Sequence, residues 1–281
     1  MKGSQTREGQ LREFRRYLEG EERERGTVEK YIKDAGAFLA WLGPRALTKE
    51  AAFGWKEHLR GSALQPETVN SKLAALNKFL AFRRRPECRV RYLKIQRKLF
   101  RGPERELTRP EYQRLLETAR SLGKVRLALL IETICATGIR VSEVRCITAE
   151  AVAAGRADVA LKGKVRTILL PGRLCRKLEK YAKKQKIASG EIFLTRSGRG
   201  LSRRQIWAEM KALCAKAEVA PSKVFPHNLR HLFARTFYRA CRDVAKLADV
   251  LGHSSMETTR IYLVSTGAEH ARQLDRLGLI S

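Results

Sequence analysis

The chain has 281 residues, enough for two domains of ordinary size, and its 43% hydrophobic content argues against disorder. Its 58 Lys and Arg outnumber 29 Asp and Glu, giving a formal charge of +29 and a pI near 10.5. Such a chain repels itself unless a polyanion neutralises it, with nucleic acid the first candidate and an anionic membrane the second.

The opening MKGSQTREGQLREFRRYLEG has no apolar core of signal-peptide length. The most apolar stretch, LALLIETICA at 127–136, is too short to span a bilayer. Four segments of the first hundred residues carry apolar residues at helical spacing. Leu11, Phe14, Tyr17 and Leu18 form the first stripe, and Tyr31, Phe38, Trp41 and Leu42 the second. A third helix opens at Thr48, and a fourth at Pro66, a residue suited to a first turn. Together they predict a small helical bundle.

Residues 1–97 carry 22 basic and 12 acidic residues, and residues 98–281 carry 36 and 17. Both halves are basic, so both are expected to touch the polyanion. FRRRPECRVRYLKIQRKLFR at 82–101 holds nine basic residues and one acidic, and Pro86 interrupts helix there. We read this run as a strap along phosphates rather than an ordinary solvated face. RGPERELTRPEY at 101–112 has the Pro, Gly and charge of a connection between domains. The expected boundaries are a helical domain at 1–97, a basic linker at 98–106 and a second domain at 107–281.

In that second domain LTRPEYQRLLETARSLG and VRLALLIETICATG read as helices, with a break at Gly138. ADVALKGKVRTILLP, 157–171, reads as a β-hairpin turning at Lys162, Gly163 and Lys164. Further helices are expected at 173–186, 202–217, 226–241, 243–251 and 256–263. The fold class is mostly α with a small β-sheet. The six cysteines are scattered without a CxxC pair, so they read as small apolar residues in a reducing cytoplasm.

Three stretches carry chemistry. In VFPHNLRHLFARTFYRA, Pro226 starts a helix and places His227, Arg230 and His231 on one face of its first turns, opposite Leu229, Phe233 and Phe237. Helix N-termini favour anions, and arginine reaches two phosphate oxygens at once. In ATGIRVSEVRC, Arg140 follows a Thr-Gly break, and Ser142 and Glu143 begin a new helix; a surface salt bridge with Glu143 is the alternative for Arg140. In LADVLGHSSMETTRIYLV, His253 precedes Tyr262 by nine positions, and Tyr262 is otherwise an ordinary core tyrosine. Ser254 and Glu257 fit a capping box, so a helix runs from about Met256 toward Tyr262. The sequence shows no metal-ligand cluster, no Walker glycine loop and no carboxylate cluster of the nuclease kind, so no metal and no cofactor are expected. The set suits phosphoryl transfer to a protein hydroxyl, with guanidinium groups neutralising charge.

TGIRVSE, HNLRH and LGHSSMETTRIY, in this order and spacing, resemble the motifs of the tyrosine recombinases of the phage integrase family, and in layout the compact two-domain, Xer-like members. The resemblance covers essentially the whole chain and implies a helical core-binding domain followed by an α+β catalytic domain. It implies Tyr262 as nucleophile, Arg140 and Arg230 on the non-bridging phosphate oxygens and His227 as proton acceptor. Lys162 becomes the acid for the leaving oxygen, with Lys164 its rival in the hairpin, and His253 bonds the phosphate while His231 supports the pocket. From the charge of the chain, Lys72, Arg83, Arg84, Arg85, Lys94, Arg97 and Lys98 are expected to contact DNA. The reaction passes through a 3′-phosphotyrosine and a Holliday junction, on double-stranded DNA with a specific site. Four protomers act on two sites, and the segment 266–281, with Ala268, Ala271, Leu274 and Leu277 at helical spacing, docks on a neighbour. The length leaves no room for an additional N-terminal arm-binding domain. A type IB topoisomerase or a non-enzymatic DNA-binding protein are the alternatives.

Overall fold

The computed structural model describes residues 6–95, 105–161, 164–253, 255–260, 262 and 275–276, with the backbone alone at 161, 164, 257 and 260. The chain divides into two compact units, residues 1–97 and 98–281.

The first unit holds α1 (Arg7–Gly20), α2 (Arg25–Leu42), α3 (Lys49–Arg60) and α4 (Pro66–Phe82). The Thr6 and Thr48 side chains accept N–H bonds in the first turns of α1 and α3, supplying partners that the helix lacks there. The stripes meet in a core containing Phe14, Phe38, Leu73, Leu76 and Phe79, all buried, with Phe14 edge-on to Phe79 at 5.2 Å. Helix α4 ends before Pro86 is reached. Arg84 takes a left-handed φ of 55° and the Arg85 N–H closes on the Leu80 carbonyl at 2.9 Å, a Schellman turn. Pro86 instead opens a single 3₁₀ turn, Pro86–Cys88.

The second unit holds α5 (Arg109–Ser121), α6 (Val125–Thr137), α7 (Ala149–Ala153), β1 (Arg156–Leu161), β2 (Lys164–Leu169), α8 (Gly172–Lys184), α9 (Arg203–Cys214), α10 (Pro226–Cys241), α11 (Val244–Leu251) and α12 (Met256–Arg260). Helix α6 is apolar nearly all round and packs against α5, α8 and α10. Strands β1 and β2 pair antiparallel from Arg156 opposite Leu169 to Leu161 opposite Lys164. Ala157, Val159 and Ile168 face the core while Val165 and Leu169 face out, the two-residue alternation of a half-buried hairpin. The chain is thus mostly helical with a small sheet, as its periodicity predicts.

Where a helix was expected to start at Ser142, the chain forms a 3₁₀ segment, Val141–Cys146. The Glu143 N–H bonds the Arg140 carbonyl at 2.8 Å and the Glu143 carboxylate returns to the Arg140 N–H at 2.7 Å, which tightens the turn. Arg105 and Glu106, placed in the linker by sequence, are already bonded to α10, through Asn228 to the Arg105 carbonyl and through Arg235 to Glu106. No helix among the described residues is long and apolar enough to cross a membrane.

Candidate active site

Helix α10 carries Arg230 one turn in from Pro226, and the side chain is 2% exposed. Its guanidinium donates to the carbonyls of Gly138 and Leu251, the latter at 2.8 Å, and to His253 Nε2 at 2.8 Å. Gly138 caps the C-terminus of α6 and Leu251 closes α11, so the negative ends of two helices converge on this cation. No carboxylate pairs with it among the described residues. Burial lowers the Arg230 pKa most, opposed by a hydrogen bond with Tyr262, and the neighbouring Arg140 and Arg166 add repulsion. A desolvated cation held only by dipoles favours an incoming anion. Gly138 is needed on two counts: its φ is +65°, and a Cβ there would lie 2.4 Å from Phe233 Cδ1.

Arg140 lies in the loop after α6, partly exposed, with its guanidinium 2.9 Å from Glu143 Oε1 and 3.4 Å from the Gly252 carbonyl. The pairing with Glu143 exists, but Glu143 is only 2% exposed, so it is no surface salt bridge. The same carboxylate receives Arg166 of β2 at 2.7 Å, and Arg166 also donates to the Val250 carbonyl at 3.1 Å. One buried acid therefore orients two arginines. A Cβ on Gly252 would lie 2.1 Å from Arg166 Cδ, and Gly252 has φ +62°, so only glycine lets Arg166 pass beneath the turn before His253. Gly252 frees that turn, and the space it leaves is taken by Arg166.

His253 Nδ1 meets Thr259 Oγ1 at 2.8 Å while its Nε2 receives Arg230. Guanidinium can only donate, so Nε2 accepts and the proton of the neutral ring sits on Nδ1, donated to Thr259. Burial, then the charges of Arg230, Arg140 and Arg166, push the His253 pKa down to about 4. Tyr262 is 4% exposed and packs on Ala234, Leu247 and Leu251, so it is buried as a core tyrosine would be. It is also ringed by histidines: its centroid lies 4.2 Å from His231, 5.6 Å from His253 and 5.9 Å from His227. His227 and His231 contact each other through Nε2 atoms 3.2 Å apart.

The structure therefore brings Arg140, His227, Arg230, His231, His253 and Tyr262 together. Lys162 and Ser254 lie outside the described residues, as do Arg97, Lys98 and all of 266–281 but Asp275 and Arg276, and Lys164 is described by backbone alone. In the first unit, Lys72 pairs with buried Asp34 at 3.1 Å, and Lys30 occupies the other oxygen. Arg85 pairs with Glu87, whereas Arg84 and Lys94 are exposed and Arg83 is half-buried. Sequence reasoning missed Arg166, the reach of Gly252 toward it, Thr259, and the buried role of Glu143. Period-two alternation puts Arg166 on the same face as Ile168, which was the available signal. Among the described residues no group of three or more His, Cys, Asp or Glu is placed to hold a metal ion.

The family model described as the phage integrase family matches residues 105–269, more than half of the chain. Tyrosine recombinase XerA of Pyrococcus furiosus is 28% identical over 280 residues, covering 96% of this chain and 94% of the relative. Tyrosine recombinase XerC of Roseiflexus castenholzii is 29% identical over 281 residues, covering 90% and 88%. The crystal structure of a lambda integrase tetramer bound to a Holliday junction superposes with a TM-score of 0.73 at 16% identity, over 93% of this chain and 78% of that one, a likeness of fold. With its arginines, histidines and tyrosine gathered in one place within the matched segment, the chain belongs to the phage integrase family and is a tyrosine recombinase.

Proposed function

We propose that this recombinase cleaves and rejoins DNA at a specific site with Tyr262 as its nucleophile. The observation that carries the reading is the meeting of Tyr262 with a buried arginine that has no carboxylate partner among the described residues. A phosphodiester entering between them supplies the missing anion. Arg230 and Arg140 turn donors toward its non-bridging oxygens, where transition-state charge accumulates.

The Tyr262 oxygen forms a bond to phosphorus as the bond to the 5′-oxygen breaks, leaving a 3′-phosphotyrosine and a 5′-hydroxyl. A phenol of pKa about 10 is a weak nucleophile when neutral, so its proton must leave. It goes to the His227–His231 pair. The two rings are coupled through Nε2 atoms 3.2 Å apart, so a proton taken by one is shared with the other. Lys162 returns a proton to the departing oxygen. To donate to the phosphate, His253 must gain a proton at Nε2, which the arriving negative charge favours. A 5′-hydroxyl from a second duplex then displaces Tyr262, exchanging one phosphodiester for another without ATP.

Both units contribute phosphate contacts. The first supplies Arg83, Arg84, Arg85, Lys94 and Arg97, with Lys98 following at the start of the second, while Lys72 is already engaged by Asp34. Four protomers act on two sites through a Holliday junction, with the 266–281 segment exchanged between neighbours. The tetramer seen for lambda integrase supports this assembly.

The test is incubation with nicked candidate-site DNA followed by a denaturing gel. Wild type should form a covalent adduct, and Tyr262→Phe should bind DNA equally yet form none. An adduct that persists in the variant moves the nucleophile elsewhere. Lys162→Ala should cleave ordinary DNA at least ~10²-fold more slowly but regain its rate when the bridging oxygen is sulfur, since a thiolate leaves without an acid. The same selective rescue in Lys164→Ala would move the acid along the hairpin.

A further inference from the structure

Two asparagines on α4 hold the segment after it in a way that neither helix nor core packing requires. Asn77 donates from Nδ2 to the Val90 carbonyl at 2.9 Å and accepts the Val90 N–H at Oδ1 at 3.0 Å. Asn70 does the same for Leu93, at 3.0 and 2.7 Å. Each amide thus pairs with both backbone groups of a single residue, as a neighbouring strand would. The spacings match. Seven residues of helix rise ~10.5 Å, and three residues of extended chain cover ~10 Å. An extended stretch beside α4 therefore meets one asparagine at Val90 and the next at Leu93. Arg89 has the extended backbone this needs, with φ −59° and ψ 141°.

The side chains sort accordingly. Cys88 is buried, and Val90 and Leu93 pack on the core of the first unit. Arg89, Arg91, Tyr92 and Lys94 face outward. None of these three cations has a hydrogen bond or ion pair with a carboxylate among the described residues, unlike Lys30, Lys72, Lys78 and Arg85 nearby. Arg89, Arg91 and Lys94 all stay exposed to solvent while Val90 and Leu93 are held against α4.

We infer that Asn70 and Asn77 form a two-point clasp that pre-orders residues 89–94 as a rigid strip for the sugar–phosphate backbone of duplex DNA. Arg89, Arg91 and Lys94 reach phosphates, and the half-exposed ring of Tyr92 lies against sugar. Long cationic side chains on a loose tether lose backbone entropy on binding; the clasp removes that loss beforehand. The inference depends on the recombinase reading only for the polymer being DNA.

Binding of the full-length chain to duplex DNA, titrated with salt, tests it. Arg89→Ala/Arg91→Ala should lower the slope of log K against log salt by ~1.8, at ~0.9 for each phosphate contact. Asn70→Ala/Asn77→Ala keeps every cation, so its slope should stay near the wild-type value while affinity falls about tenfold. In that background, removing the two arginines should cost clearly less than in wild type. Hydrogen exchange serves as the control: the Val90 and Leu93 amides should lose protection while those of α4 keep it. If the double asparagine variant does not fold, Asn70→Asp carries the test, since it retains the acceptor for the Leu93 N–H but loses the donor. Wild-type affinity with freely exchanging Val90 and Leu93 amides would overturn the clasp. An unchanged slope in the arginine variant would overturn the strip. Adduct formation on nicked DNA with either of those results sinks this inference alone, and a changed slope with no adduct sinks the recombinase reading alone.

Discussion

The start of α10 and the loop after α6 each supply one arginine to the site and hold it in opposite ways. Arg230 is buried among carbonyls and a neutral histidine, and among the described residues the ends of two helices, rather than a carboxylate, oppose its charge. Arg140 is partly exposed and shares the buried carboxylate of Glu143 with Arg166. Helix α10 runs for 16 residues against α6, so Arg230 is fixed before substrate arrives. Arg140 is oriented by a single acid in a 3₁₀ turn. The contrast teaches that one guanidinium is built to receive an anion and the other to be steered toward it.

The largest effect should come from Arg230. Arg230→Ala should slow single-turnover cleavage by ~10³-fold, and Arg230→Lys should recover little. A lysine is a point charge without the planar fork that meets the Gly138 and Leu251 carbonyls and a phosphate together. Near wild-type cleavage in Arg230→Lys would show that charge alone is what the position provides.

Gly252 sets how Arg166 and Glu143 steer Arg140. Gly252→Ala places a Cβ on Arg166 at a left-handed position, so stability should fall by about 1–2 kcal/mol in denaturant titration. Cleavage should fall about tenfold with it, because the Gly252 carbonyl also receives Arg140. Adding Arg166→Ala should relieve the clash and recover part of the stability, a coupling that a double-mutant cycle measures. Strictly additive losses would mean that the two residues do not compete for the space.

The smallest effect is a titration. The free protein's His253 should show a pKa near 4 by NMR, well below the usual histidine range. The folded chain then binds fewer protons than the unfolded chain between about pH 4 and 6.5, so this group's contribution to stability falls as pH drops through that window. A bound phosphodiester offsets the three arginines and should raise the pKa. DNA binding would then take up a proton, and affinity should rise as pH falls in the same range. A His253 pKa unmoved by DNA would place the ring away from the phosphate.

Much of this was legible in the sequence for a physical reason. Helical stripes such as Leu11, Phe14 and Leu18 read directly because α1 buries one face of one period. Arg230 and the two histidines beside it read because a single helix start fixes their spacing. Arg166 did not, because its partners Glu143 and Val250 lie 23 and 84 residues away and only the folded hairpin brings them close. The end of α4 was hidden for a similar reason: a left-handed arginine, rather than the visible proline, stops the helix. The asparagine clasp was equally hidden, since Asn70 and Asn77 look like ordinary polar positions until residues 90 and 93 lie beside them.

The most direct test of the account is the cleavage of a neutral linkage by Arg140→Ala in excess EDTA. If Arg140 serves to offset charge on the non-bridging oxygens, the variant should be slow on an ordinary phosphodiester, by ~10²-fold or more. A methylphosphonate at the scissile position replaces one charged oxygen with a methyl group and removes that demand. The variant should then approach wild-type rate on the neutral site, still forming its covalent bond through Tyr262. Equal loss on both substrates would contradict the account, leaving Arg140 as the ion-pair partner that shapes the turn around Glu143.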